Sequence, residues 1–318
     1  MSSYIYALHI FYLKGSAFMC KIIENKNYDY YSLKKAIKQL TDTYPFLHTS
    51  VIGKSVMGRE ITAIKIGRAN EYVLFTGCFH GSEHITTTIL LKFIEEICTA
   101  IQNGGSVSGI NIKRVMTGRA IIIVPSVNPD GAEISMRGVI SAGNNARNIS
   151  KISRGDTVHW NANVRGVDIN HNFDAGWDEL SRLEKENGIY GPSPTRFGGP
   201  KPFSEPESVA IKTLCETVRI RHAIAFHSQG EVIYWQYGDY KPARSQKMAE
   251  IMATSSGYKL DYPVGLAVGG GFKDWFIKTF NRPAFTVEVG LGENPLPNES
   301  VQDIYERIKE MLILSVAM

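Results

Sequence analysis

Four continuous apolar runs, each ending on a polar residue and separated by helical stretches, constrain this chain more than anything else in it. "EYVLFTGCF" runs into His80, "AIIIVPSV" into Asn128, "IRHAIAF" into His227 and "PAFTV" into Glu288. Runs of this length without polar alternation read as strands covered on both faces. Between them lie "ITTTILLKFIEEIC", "SEPESVAIKTLCETV" and "GGGFKDWFIKTF", and after them "ESVQDIYERIKEMLILSVAM", all with helical spacing of apolar residues. Near the start, "YYSLKKAIKQLTDTYP" places Leu33, Ile37 and Leu40 on one helical face, and Pro45 closes it. "TSVIGKSVMGREITAIKIG" reads as a hairpin. Strands alternating with helices imply an α/β fold: a single domain with a mixed, mostly parallel twisted sheet and helices on both faces. His80, Asn128, Asp130, His227 and Glu288 then fall at or just past the C-terminal ends of strands. Open α/β sheets form their sites at that edge.

Composition narrows the function classes. The 318 residues are 43% hydrophobic and 21% charged, which is ordinary for a globular protein. The net charge of +4 is spread along the chain rather than clustered, which argues against a nucleic-acid partner. Cys20, Cys78, Cys98 and Cys215 show no paired spacing, so free thiols are expected and a reducing compartment is favoured. "MSSYIYALHIFYLKGSAFMC" is apolar, but it lacks a basic leader and is interrupted by His9 and Lys14. It is too short and broken for stable membrane insertion. Residues 1–27 are therefore read as an N-terminal extension of uncertain structure. A cytoplasmic setting is preferred, with a secreted or spore-associated one as the alternative.

The segment "HGSEH" admits several readings. His80 and His84 could both bind a metal with Glu83 as the base, the inverted zincin arrangement. Alternatively, His80 and Glu83 are both ligands and His84 is a bystander; or the segment is only a polar loop. The first arrangement needs both histidines on one face of a helix, yet His80 directly follows a strand and Gly81 is a poor helix residue. The second requires a third ligand and a separate base. His227 in "AIAFHSQG" and Glu288 in "TVEVG" offer them.

With these residues in place, "FHGSEHITTTILL", "SVNPDG", "NVRGVDINHNFDAGW", "AFHSQGE", "GGGFKDW" and "FTVEVGLGENPLP" together resemble the zinc metallocarboxypeptidase family, whose fold is carboxypeptidase A-like. "HGSEHITT", "GPSPTRFGGPKPFSEPE" and "GENPLP" look most like the branch of γ-D-glutamyl-L-diamino acid endopeptidases, which cut bacterial cell-wall peptides. The resemblance implies a zinc peptidase catalytic domain over residues 28–318, with one zinc per chain held by His80, Glu83 and His227. It implies Glu288 as general base and later donor to the leaving amine, and Arg165 as the cation that polarises the scissile carbonyl. Asp168 would fix the tautomer of His80, and Asn170 would bind substrate. The expected partner is a peptide, murein-derived in the favoured reading.

Two departures bear on specificity. The family's carboxypeptidases carry Asn-Arg where this chain has Asn170-His171, and that arginine clamps the substrate's C-terminal carboxylate. They also carry a tyrosine shortly before the Gly-Gly loop, at a place that here is near Leu266, with Tyr262 the nearest tyrosine. Lys273, after the triple glycine, falls where the resemblance puts the floor of the pocket for the leaving side chain, and a lysine there would favour an acidic group. The bland readings are a solvated helix lysine for Lys273, a surface ion pair for Arg165, a turn cap for Asp168 and a turn residue for Asp130. Alternatives at the level of function are a carboxypeptidase or deglutamylase with another acidic peptide substrate, and a non-catalytic peptide-binding module.

Overall fold

The structure is a computed structural model, and it describes residues 21–318. The signal-like stretch and Cys20 lie outside the described residues. Just after them, Ile23 is fully buried and its backbone N–H donates to Glu95.

Eight strands make one sheet: β1 (His48–Lys54), β2 (Glu60–Ile66), β3 (Tyr72–Gly77), β4 (Ile121–Val124), β5 (Ile220–His227), β6 (Val232–Tyr234), β7 (Lys259–Asp261) and β8 (Ala284–Glu288). Their spatial order is β1-β2-β4-β3-β5-β8-β6-β7. The centre, β4-β3-β5-β8, is parallel throughout. The hairpin β1-β2 adds antiparallel to β4, and β6 adds antiparallel to β8. The α/β expectation holds.

The central strands lack polar alternation because both faces are covered. In β3, Val73 and Phe75 pack into one core and Leu74 into the other; in β5, Ile224 and Phe226 oppose Ala223 and Ala225. One core is closed by α1 (Tyr30–Thr43), α2 (Ile85–Asn103) and the C-terminal helix Val301–Ala317. The other is closed by the helices Pro206–Thr217 and Phe272–Phe280. None of the described helices is long and apolar enough to cross a membrane.

One local expectation is corrected. "NPDG" does not form a plain turn; it opens the helix Pro129–Arg137. The Asn128 side chain accepts the Gly131 N–H at 2.9 Å, and Pro129 occupies the first turn, where a missing N–H costs nothing. Asp130 is buried and pairs with Arg59 at 2.6 Å instead of shaping a surface turn. The chain order thus delivers His80, His227 and Glu288 to one edge of the sheet, and residues between 161 and 196, partly helical, line a cavity there with His80 and Glu83.

Candidate metal and active site

His80 lies three residues past β3, Glu83 ends a single 3-10 turn (Gly81–Glu83), and His227 is the last residue of β5. The tight turn between the first two depends on Gly81. A Cβ there would lie 2.3 Å from the Gly131 carbonyl oxygen and 2.5 Å from that of Trp160. His80 Nδ1 lies 2.8 Å from Glu83 Oε1, and His227 Nδ1 lies 2.9 Å from Glu83 Oε2. The two Nδ1 atoms are 3.3 Å apart. One ligand atom from each of the three residues falls within 4.8 Å of the others. His84 is not part of the group; it is buried, and burial pushes its imidazole down to about 4. The donor chemistry fits zinc: two imidazoles and one carboxylate converge as in catalytic zinc sites, with their Nδ1 edges facing one point.

The surrounding charges hold these donors in place. Asp168 Oδ1 is 3.1 Å from His80 Nε2. Burial works against the charge of Asp168, yet His80 and His171 hold its carboxyl well below the usual range. Burial likewise opposes a charged His80, but Glu83 and Asp168 outweigh it and raise its pKa. Glu83 is pulled down to about 2 against its own burial by His80 and His227. Glu288 ends β8 directly opposite His227 in the parallel register. Burial, reinforced by Glu83, lifts its carboxyl well above the usual carboxylate range. A cation among the donors would work in the opposite direction.

A cavity of about 490 Å³ reaches two members of this group, His80 and Glu83. Its lining includes His80, Glu83, Asn161, Asp168, His171, Thr195, Arg196 and the loop residues Val264 to Ala267. His171 is buried, with Nδ1 at 3.0 Å from Glu184 Oε1 and 3.1 Å from the Arg196 carbonyl oxygen. Asn170 is close by, and its side-chain oxygen accepts the Phe272 N–H at 3.1 Å, capping the helix that follows the triple glycine. The lining contains Leu266 and no tyrosine; Tyr262 is exposed and packs near Trp235. Arg165 and Lys273 are not brought into this lining. Arg165 is exposed, sits 3.4 Å from Glu205, and borders a separate groove with Lys151 and Arg154. Lys273 is buried, donates to the Gln236 carbonyl at 2.7 Å and pairs with Asp274. Arg196 was not singled out in the sequence, where it stands in a polar stretch without periodicity.

A family profile described as zinc carboxypeptidase matches residues 33–311. The chain belongs to the zinc carboxypeptidase family. Within it, the protein is 35% identical over 292 residues to gamma-D-glutamyl-L-diamino acid endopeptidase 1 of Lysinibacillus sphaericus, covering 88% of this chain and 70% of that one. It is 32% identical over 295 residues to the uncharacterized protein YqgT of Bacillus subtilis (strain 168), covering 92% and 77%. Among solved structures, thrombin activatable fibrinolysis inhibitor superposes with a TM-score of 0.73 over 94% of this chain and 76% of that one, at 17% identity. That likeness establishes the fold, carboxypeptidase A-like as expected. A zinc carboxypeptidase is a zinc metallopeptidase, and the His80, Glu83 and His227 group is the place in this member that could hold the metal.

Proposed function

We propose that this zinc peptidase hydrolyses γ-D-glutamyl-(meso-diaminopimelate) linkages of bacterial cell-wall peptides. The observation that carries the reading is the 35% identity, across 88% of the chain, to a protein named for cutting γ-D-glutamyl-L-diamino acid bonds. His171 is in keeping with it at the family's clamp position: its Nδ1 is taken up by Glu184 and the Arg196 carbonyl, and an imidazole at that position does not offer a two-pronged, permanently charged fork.

His80, Glu83 and His227 would hold the zinc, which when bound would supply a Lewis acid able to make a water nucleophilic at neutral pH. Asp168 fixes the His80 ring through Nε2, leaving Nδ1 free to ligate. Glu288, beside His227 at the sheet edge, takes a proton from the attacking water and returns it to the leaving amine. The cavity lining contains Leu266 and no tyrosine, and Glu288 performs both transfers.

The test is hydrolysis of L-Ala-γ-D-Glu-meso-diaminopimelate by the purified protein, with chelator and with zinc restored. Chelator-sensitive, zinc-restored release of diaminopimelate is expected. Release of C-terminal residues from ordinary α-linked peptides with no action on the γ-linkage would overturn the substrate and leave the peptidase.

A further inference from the structure

We propose that Arg196 is a specificity-determining residue that receives a carboxylate of the leaving diamino acid. The inference rests on the peptidase reading above and adds the residue that recognises the leaving side of the substrate.

Among the described residues that line the cavity at His80 and Glu83, Arg196 is the one arginine or lysine. The other two cations considered from the sequence are engaged elsewhere, Arg165 beside Glu205 and Lys273 beside Asp274. A guanidinium offers five N–H donors in a rigid fork that matches a carboxylate bidentately and keeps its charge at every working pH.

The backbone of Arg196 is held by the residues that build the candidate metal site, while its side chain is exposed. Its φ is +67°, in the left-handed region that an arginine rarely adopts. Two hydrogen bonds fix the backbone there. The Arg196 N–H donates to Asp168 Oδ2 at 2.8 Å, and the Arg196 carbonyl oxygen lies 3.1 Å from His171 Nδ1. The other oxygen of Asp168 meets His80. The candidate metal ligand His80 and the backbone of Arg196 therefore hang from one carboxylate, which fixes where the exposed arginine side chain starts relative to the reacting centre. His171, which occupies the family's clamp position, supports the Arg196 backbone.

Meso-diaminopimelate presents two carboxylates on the leaving side, one on the carbon bearing the scissile nitrogen and one at the end of the side chain. Both suit Arg196, and substrates distinguish them. The zinc-loaded enzyme is assayed on L-Ala-γ-D-Glu-meso-diaminopimelate, on the L-Lys analogue that lacks the distal carboxylate, and on the L-Lys α-amide that lacks both. A step in kcat/KM between the first two assigns the distal carboxylate; a step between the last two assigns the proximal one. The neutral variant is Arg196→Asn, because asparagine tolerates the left-handed region; Arg196→Lys retains charge without the fork.

Arg196→Asn is expected to lose roughly ten- to a hundredfold in kcat/KM, mostly through KM, on the substrate with the recognised carboxylate. It should lose little on the one without it, with zinc content and melting temperature kept. Arg196→Lys should recover part of the preference. Equal loss on all three substrates, or an undiminished preference in Arg196→Asn, overturns the assignment. The same variants are tested for binding of free meso-diaminopimelate, L-lysine and L-lysinamide by calorimetry. Because that readout needs no turnover, a wrong choice of scissile bond is told apart from a wrong choice of receptor: indifference of binding to Arg196→Asn counts against the receptor alone.

Discussion

Asp168 Oδ1 lies 3.1 Å from His80 Nε2, on the edge of the ring opposite the nitrogen that faces Glu83. A carboxylate there makes Nε2 the protonated nitrogen and leaves Nδ1 as a lone-pair donor. Asp168→Asn preserves the size of the side chain but removes the charge that enforces this tautomer. Zinc affinity should fall by about 10–100-fold with the fold intact. Competition against a chromogenic chelator measures it, and an unchanged affinity would show that the pair is only a packing contact.

The grouping of His80, Glu83 and His227, with His84 outside it, gives a second expectation. Glu83→Ala removes one of the three candidate metal donors and should yield protein with little zinc. His84→Gln should bind zinc normally, since the wild-type ring lies buried outside the donor set. Metal analysis of the two purified variants decides. A metal-free His84→Gln beside a zinc-replete Glu83→Gln would restore the inverted zincin arrangement.

In the proposed mechanism, Glu288 separates binding from turnover. It faces His227 across the strand pair but is not in the ligand group. Glu288→Gln should therefore keep zinc and the fold while kcat drops by about 10²–10⁴-fold, the usual loss for a general base. Near-normal kcat would remove Glu288 from the proton transfers.

How much of this was legible in the sequence follows the physics of burial. The central strands announced themselves because two covered faces demand unbroken apolar runs, and His80, His227 and Glu288 stood out as polar residues stopping those runs. The strands β6 and β7 did not, since three-residue pairings at the sheet margin need no pattern. Asn128-Pro129 carries turn and helix-start chemistry at once, and only the tertiary fold chooses between them. Arg196 was invisible for a stronger reason. Its placement comes from a left-handed backbone fixed by Asp168 and His171, 28 and 25 residues away, and no local pattern encodes that.

Lys273 allows the sequence expectation to be tested directly. Its ammonium is buried against Asp274 and the Gln236 carbonyl. Lys273→Met would leave the buried Asp274 carboxylate without its cation and held only by the Gly269 N–H at 2.8 Å, and removing one partner of a buried pair costs about 3–5 kcal/mol. Urea unfolding should show a markedly lower midpoint. A variant as stable as the wild type, yet with no preference for diaminopimelate over L-Lys substrates, would return Lys273 to the substrate pocket.

His222 is expected to contribute to the loss of stability in acid. It sits in β5, fully enclosed, where its ring Nε2–H donates to the Ser315 carbonyl at 2.8 Å, tying the sheet to the C-terminal helix. Burial lowers its pKa to about 4, and Arg221, Arg244 and Arg119 push the same way against the opposing pull of the Ser315 carbonyl. In the unfolded chain the ring titrates near the ordinary histidine value of about 6.5. Above that pH both states are neutral and the stabilising contribution is complete. As pH falls from about 6.5 towards 4, the unfolded chain takes up a proton that the folded one refuses, so stability is lost across that window. The full gap corresponds to roughly 3 kcal/mol. His222→Asn keeps a donor for Ser315 and cannot titrate. Its melting temperature should be lower than that of the wild type at pH 8, and the deficit should shrink or reverse by pH 4.5. Parallel melting curves for the two proteins across pH 4.5 to 8 would show instead that His222 does not contribute to the loss of stability in acid.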